Sequence, residues 1–201
     1  MAEKEIAIII YSMYGHIATM AEAEKAGIEK AGGKATIYQV PETLPEEVLA
    51  KMHAAPKPAY PIATPETLTQ YKAFMLGIPT RYGNFPAQMK AFWDSTGHLW
   101  MQGALIGKCC GIFVSTASPG GGQETTAMLA LSTLAHHGVI FVPFGYSKPE
   151  VQTSCDEVRG GSAWGAGTFA GADQRRQPTA AELGLATLQG ETFFKRIEKL
   201  L

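Results

Sequence analysis

The chain has little of what marks several functional classes. No apolar run reaches the ~20 residues needed to cross a bilayer, and no helix with a basic face suits a membrane surface. Neither sign of charge dominates: 17 Lys and Arg against 18 Asp and Glu leave a net charge of −1. The electrostatic footprint of a nucleic-acid binder is therefore missing. Cysteines number three. Cys109 and Cys110 adjoin in an apolar run, where strand neighbours point to opposite faces, so the pair is a poor disulfide. Cys155 stands alone, and no C-x-x-C spacing signals a metal. We expect reduced, buried thiols and a cytoplasmic protein, since charged residues stand where an apolar leader would be. G-x-G-x-x-G and GK[ST] are absent, which removes the dinucleotide fingerprint and the P-loop. There is no G-x-S-x-G elbow and no paired-carboxylate motif, so no hydrolytic machinery stands out.

What is present reads as a globular α/β chain. Hydrophobic residues make up 46% and charged ones 17%, enough for a core and too apolar for disorder. At 201 residues we expect a single domain, 1–201. Ile6–Ile10 is a buried parallel strand, and from Ile17 to Ala31 the apolar spacing turns helical. Gly32-Gly33 ends that helix, and Lys34–Val40 is a second strand. A Pro-rich insertion, 41–66, follows, with a short helix from Pro45 to His53 inside it. We read the insertion as a surface excursion covering a crevice edge or a neighbouring subunit. Further strands are expected at Ala73–Ile78, Lys108–Ser115 and Val139–Val142, with helices at Phe85–Ser95 and Glu124–His136. Thr168-Phe169-Ala170 suits a short edge strand. Thr179 to Leu201 is a last helix, opened by a Thr179/Glu182 capping box. Five strands alternating with helices make a doubly wound parallel sheet. In the flavodoxin-like order 2-1-3-4-5, strands one, three and four are neighbours, and their loops converge on one crevice.

Those three loops are the unusual ones. Ser12, Met13, Tyr14, Gly15, His16 and Ile17 lead from a strand tip into a helix N-terminus, where free amides and the helix dipole suit a phosphate. The bland alternative is a plain connection capped by Ser12. Pro79, Thr80, Arg81, Tyr82, Gly83 and Asn84 offer donors beside an aromatic, a grip for a planar ring. Ser115, Thr116, Ala117, Ser118, Pro119, Gly120 and Gly121 offer hydroxyls and bare backbone against which a flat ligand can lie. Phosphate at one end and a flat polar ring at the other describe a mononucleotide, and flavin mononucleotide (FMN) fits best.

Quieter readings stand beside these. Arg81 can simply hold a surface carboxylate. Trp93 lies beside Phe92 and Met89 on a helix and reads as core. Trp100 sits in a loop, Gly97 to Gly107, and reads as an exposed platform. His136 and His137 end a helix, where a cation suits the dipole. Met128 to Leu134 reads as core. Glu124 is the one acid near the loops.

Taken together, Tyr11 to Ile17, Pro79 to Asn84, Gly97 to Trp100, Gly120 to Glu124, Leu134 to Gly138 and Arg159-Gly160-Gly161 resemble a known family. It is that of the tryptophan-repressor-binding-protein-like NAD(P)H:quinone oxidoreductases, FMN-dependent and flavodoxin-like, and the likeness to fungal benzoquinone reductases is strongest. The resemblance implies that Ser12–Ile17 hold the FMN phosphate, Thr80–Tyr82 contact the isoalloxazine and Ser115–Gly121 line its other side. It puts His136 near the flavin edge, Trp100 at the wall of the quinone site and Tyr14 against the nicotinamide. It implies homotetramers, or homodimers, whose flavin sites borrow residues from neighbouring subunits. It also implies a ping-pong reduction of quinones by NADH or NADPH. Pro119 departs from the pattern common in bacterial relatives and removes one backbone donor from the third loop. A flavodoxin-type electron carrier is the rival, though a near-neutral chain lacks the acidic surface carriers use for steering. A stress-linked adaptor without turnover is a third reading.

Overall fold

The structure, a computed structural model, describes residues 5–200. The first strand, β1 (Glu5–Ile10), is followed by α1 (His16–Lys30) and β2 (Lys34–Gln39). Two short helices, α2 (Glu46–Lys51) and α3 (Pro65–Gln70), precede β3 (Ala73–Pro79), and α4 (Ala87–Asp94) and α5 (Gly97–Met101) precede β4 (Cys109–Thr116). Then come α6 (Gln123–His136), β5 (Ile140–Phe141), α7 (Pro149–Gln152), β6 (Gly167–Phe169) and α8 (Ala180–Leu200). All strand pairings are parallel, in the order β2-β1-β3-β4-β5, as the alternation requires.

The sheet differs from expectation at one edge. Only Ile140 and Phe141 pair with β4, at Cys109 and Cys110, while β6 takes the place beside Val114–Thr116. The ladder to β4 stops after the Val142 N–H donates to the Cys110 carbonyl at 2.8 Å, and the segment returning through Gly167 covers the far end of β4.

The inner strands β1, β3 and β4 are buried on both faces, and the core divides accordingly. Ile9, Phe74, Leu76, Cys110 and Ile112 pack with Met89 and Trp93 on one side; Ile8, Met75, Cys109 and Phe113 pack with α1 and α8 on the other. Cys109 and Cys110 thus point to opposite faces, and both are free. Cys155 is free too, but exposed, which corrects the expectation of three buried thiols. Trp93 is core as expected. Met128 and Leu129 are not: they are about half exposed, and within the run Met128 to Leu134 the buried apolar residues are Ala130 and Leu134. A helix lying on a sheet buries one stripe, so a continuous apolar run cannot all be core.

Helices α1 and α8 approach closely through glycine. A Cβ on Gly27 would sit 2.0 Å from the Thr187 carbonyl oxygen, and one on Gly190 2.1 Å from that of Glu24. The expected box opens α8: the Glu182 N–H donates to Thr179 Oγ1 at 3.3 Å and the Thr179 N–H to Glu182 Oε2 at 2.9 Å. The Pro-rich insertion is stitched to the first loop by the Ala55 N–H donating to the Met13 carbonyl, 2.9 Å. Within it Pro45 stands just before α2, at its N-cap.

Candidate functional site

The loops after β1, β3 and β4 meet, because those strands are adjacent. They line a cavity of about 180 Å³ with Ser12, Met13, Tyr14, His16, Ile17, Pro79, Thr80, Arg81, Ser115, Thr116 and Ala117. Two further lining residues, Ala170 and Gln174, come from the Gly-rich stretch after α7. Ala170 ends the expected edge strand, whereas no helical or strand period marks the stretch around Gln174, so sequence patterning gave no signal for that residue.

The first loop is built as an anion cradle. Gly15 has φ +89°, and nothing lies within 4 Å of where its Cβ would be; this left-handed turn opens α1. The Ser12 hydroxyl accepts from the Ala18 N–H at 3.2 Å, so one orphan amide of the helix is capped, as the bland reading of Ser12 has it. Among the described residues the N–H groups of Tyr14, Gly15, His16 and Ile17 find no backbone or side-chain acceptor, and they converge where the helix dipole is positive. The His16 ring is buried and donates from Nε2 to the Arg176 carbonyl, 2.7 Å.

The second loop is a tight hairpin. Arg81 and Asn84 exchange backbone hydrogen bonds, each 3.0 Å, across Tyr82 and Gly83, which have φ of 55° and 78°. Two positive φ values in succession make a type I′ turn, an unfavourable place for a tyrosine. The turn pushes the Tyr82 ring wholly into solvent (104% exposed). The Thr80 hydroxyl, expected to face a ligand, is engaged inside the protein. Thr126 Oγ1 donates to the Gly122 carbonyl at 2.7 Å, so its oxygen accepts from Thr80 Oγ1 at 2.8 Å. Thr80 in turn accepts the Gly83 N–H at 3.0 Å and locks the second loop to the third. Arg81 lines the cavity and donates to the Thr80 carbonyl at 2.8 Å; no carboxylate pairs with it among the described residues.

The third loop folds back on itself. Thr116 Oγ1 donates to the Ser118 carbonyl at 2.8 Å. Gln123 ties the loop to the far edge, donating to the Thr168 carbonyl at 2.9 Å and accepting the Gly161 N–H at 2.7 Å.

Gly15, Tyr82, Gly83, Asn84, Ser118, Pro119, Gly120 and Gly121 border these loops without lining the cavity. Pro119 and Gly120 instead line a neighbouring groove with Gln123, Glu124 and Phe169. Trp100 and His136 lie elsewhere in the chain. They line a separate cavity of about 310 Å³, between the end of α4, α5 and the last turn of α6, which shares no lining residue with the first. Trp100 stands on α5 rather than in a loop, yet is 54% exposed, in keeping with a platform.

The electrostatics favour an anion at the first cavity. Arg81 lines it and no Asp or Glu does. A larger cavity, about 580 Å³, carries Glu124, Asp156 and Glu157 in its wall, a poor setting for a phosphate despite its size. Behind the loops, burial raises the Glu42 carboxyl. Hydrogen bonds from Lys57, the Leu44 and Thr43 amides and Tyr11 outweigh that and hold it at about 2. Burial and then Glu42 push the Tyr11 phenol up. The buried Glu182 accepts from Arg176 Nη1 and Nη2 (2.9 and 3.0 Å), from Thr168 Oγ1 (2.7 Å) and from the Gly160 N–H (2.9 Å). Burial alone would raise its pKa; these donors bring it below the usual range.

Comparison with known proteins decides the family. The model of one family, described as NADPH-dependent FMN reductase, matches residues 6–149. The chain belongs to this family. Within it, NAD(P)H quinone oxidoreductase PST3 of Candida albicans is 62% identical over 200 residues, covering 99% of this chain and 100% of the relative. Protoplast secreted protein 2 of Saccharomyces cerevisiae is 62% identical over 195 residues, 96% and 98% of the two chains. A crystal structure of a flavodoxin, WrbA-like protein from Agrobacterium tumefaciens superposes with a TM-score of 0.67. It covers 98% of this chain and 99% of its own, at 22% identity, a likeness in fold. The doubly wound, flavodoxin-like architecture read from strand alternation is thus this chain's fold.

Proposed function

We propose that this chain is an FMN-dependent NAD(P)H:quinone oxidoreductase that reduces quinones by two electrons in a ping-pong cycle. The observation that carries the reading is the cavity where three loops meet, with the opening of α1 and Arg81 in its wall beside Ser115–Ala117, in a chain 62% identical to a named NAD(P)H quinone oxidoreductase. The residues fit the phosphate end of FMN. The Gly15 turn leaves its surface open, four amides want acceptors, and the wall has a cation and no carboxylate. FMN bound there would supply the redox chemistry between NAD(P)H and a quinone.

The chain's part is binding and orientation. Amides 14–17 and the Ser12 hydroxyl would hold the phosphate. Arg81 and the Ser115–Ala117 backbone would face the ring from the cavity wall, with the Tyr82 hairpin and Gly120-Gly121 just outside it. Thr80, hydrogen-bonded to Thr126, keeps the second and third loops in register. One pocket serves nicotinamide and quinone in turn, which makes the kinetics ping-pong.

Trp100 and His136 reach such a pocket only from a second copy of the chain, because in their own chain they line another cavity. We therefore propose a homotetramer, or a homodimer, in which they complete a neighbour's site against Tyr14. Exposed apolar side chains at Met101, Ile106, Met128 and Leu129, on and beside α5 and α6, support an interface there. One domain carries this chemistry, with 41–66 as an accessory edge to the crevice. Among the described residues no helix is long and apolar enough to cross a membrane. The exposed free thiol of Cys155 suits a reducing compartment, so we place the protein in the cytoplasm.

Protein reconstituted with FMN should show flavin absorbance and consume NADH or NADPH only when p-benzoquinone is added. Absence of both overturns the assignment; flavin binding without quinone-dependent turnover favours the carrier reading. Trp100→Ala should raise the quinone KM while FMN binding persists, and unchanged quinone kinetics would remove Trp100 from the site.

A further inference from the structure

The segment that completes the wall of the three-loop cavity holds a glutamine where the backbone suits glycine. Among the described residues the non-glycine positions with positive φ are His53, Tyr82 and Gln174, and of these Gln174 alone lines the cavity, at φ 62°. That conformation disfavours any residue with a Cβ, and glycine is its usual occupant. Residues held this way persist where their surroundings over-determine them, and they cluster at ligand clamps.

The surroundings of Gln174 do so. The Ala170 N–H donates to the Thr116 carbonyl at 2.8 Å and the Gly171 N–H to the Ala117 carbonyl at 3.0 Å, which fastens the segment to the third loop. The Arg176 N–H donates to the Ala170 carbonyl at 3.0 Å, and its guanidinium is held by the buried Glu182. The Arg176 carbonyl accepts from His16 of the first loop at 2.7 Å. Residues 170–176 thus bridge the first and third loops. Asp173 and Arg175, on either side of Gln174, are exposed, pair with each other at 3.8 Å and do not line the cavity.

The Gln174 side chain is not needed to close the turn. The Gly171 carbonyl already accepts the Gln174 backbone N–H at 3.2 Å, and Gln174 Nε2 donates to the same oxygen at 3.2 Å. A carbonyl only accepts, so this contact identifies the side-chain atom as the nitrogen. That nitrogen carries two protons, and the second has no acceptor among the described residues. The cavity wall has Arg81 and no carboxylate, so a spare N–H there suits an anion.

We infer that Gln174 is a further phosphate-binding residue: its second side-chain N–H donates to the phosphate of FMN, and the strained turn is held in place for that contact. The inference rests on the function proposed above and adds a donor from outside the three loops. It also explains the choice of residue. Glycine would relieve the backbone and supply no donor.

The test is titration of the full-length protein with FMN and with riboflavin, followed by quenching of flavin fluorescence, together with thermal melts without flavin. Gln174→Gly should melt no lower than wild type, because the left-handed position then carries no Cβ. It should nevertheless bind FMN about tenfold more weakly, with riboflavin affinity unchanged. Gln174→Glu keeps the length of the side chain and sets a carboxylate against the phosphate. It should weaken FMN binding further, by an amount that shrinks as salt is added, and again leave riboflavin alone. FMN affinity unchanged in both variants, equal losses for FMN and riboflavin, or a Gln174→Gly protein that melts below wild type would overturn the assignment and leave Gln174 a structural turn residue. In each of those cases wild-type FMN binding keeps the function proposed above intact. Wild-type protein that binds no FMN would overturn both.

Discussion

Glu24 is a carboxyl with nowhere to put a charge. It sits on α1 where α8 crosses it, is wholly buried, and neither oxygen has a hydrogen-bond partner. The Gly190 contact brings the two backbones together at this residue. Burial pushes its pKa well above the ordinary 4.5, so the folded protein keeps its proton where the unfolded chain releases it. The sign follows: stability is full below about pH 4.5 and falls by about 1.4 kcal/mol per pH unit as pH rises toward the folded value. Glu24→Gln keeps a buried polar head and removes the titration. Glu24→Met also removes the unsatisfied oxygens, worth about 1–3 kcal/mol. Urea unfolding followed by far-UV circular dichroism, at fixed protein concentration, at pH 5, 6, 7 and 8, separates the terms. Both variants should gain on the wild type progressively as pH rises, Glu24→Met from a higher start. A wild-type-minus-variant difference that stays constant across this range would refute the protonated, unpartnered carboxyl. So would a Glu24→Met protein less stable than wild type at pH 8.

Three further outcomes follow from the same structure. Ser12→Ala removes the cap on the Ala18 amide and, under the proposed function, a phosphate donor. FMN affinity should fall by about tenfold and riboflavin affinity much less, measured by flavin fluorescence; equal losses would place Ser12 away from the phosphate. Glu182→Gln leaves the Arg176 guanidinium without its carboxylate, and urea unfolding should show a loss of about 3–5 kcal/mol. Gly190→Ala drives a Cβ to 2.1 Å from the Glu24 carbonyl oxygen and should cost about 1–3 kcal/mol or more by forcing α1 and α8 apart. Gly184→Ala, on the same helix with nothing within 4 Å, should instead gain about 0.5–1 kcal/mol. Thermal melts that shift alike for both would contradict the close helix crossing.

Much of the scaffold was legible because it rests on local rules. Ile6–Ile10 and Ala73–Ile78 are apolar runs bounded by turn residues, which is how a strand buried on both faces reads. The Thr179/Glu182 box announces its helix through a side chain three residues away. The first loop was legible for the same reason: a strand, a short glycine turn and a helix in succession fix where free amides point. Other features failed because they depend on distant partners. The retreat of β5 in favour of β6 depends on which segment competes for one edge of β4. The half-exposure of Met128 and Leu129 depends on which stripe of α6 meets the sheet. Gln174 joins the cavity from a stretch without a period, hydrogen-bonded to the Gly171 carbonyl.

The order of residues alone therefore determined the alternation of strands and helices, the phosphate-suited turn at Gly15 and the opposed faces of Cys109 and Cys110, because each depends on backbone periodicity and neighbours a few residues apart. Tertiary structure alone decided that Thr80 bonds to Thr126 rather than facing a ligand, that Trp100 and His136 line a cavity of their own, and that Glu24 is sealed in between two helices. Those outcomes are set by contacts between residues 30 to 170 positions apart in the chain, where packing and hydrogen-bond satisfaction across elements choose the partner.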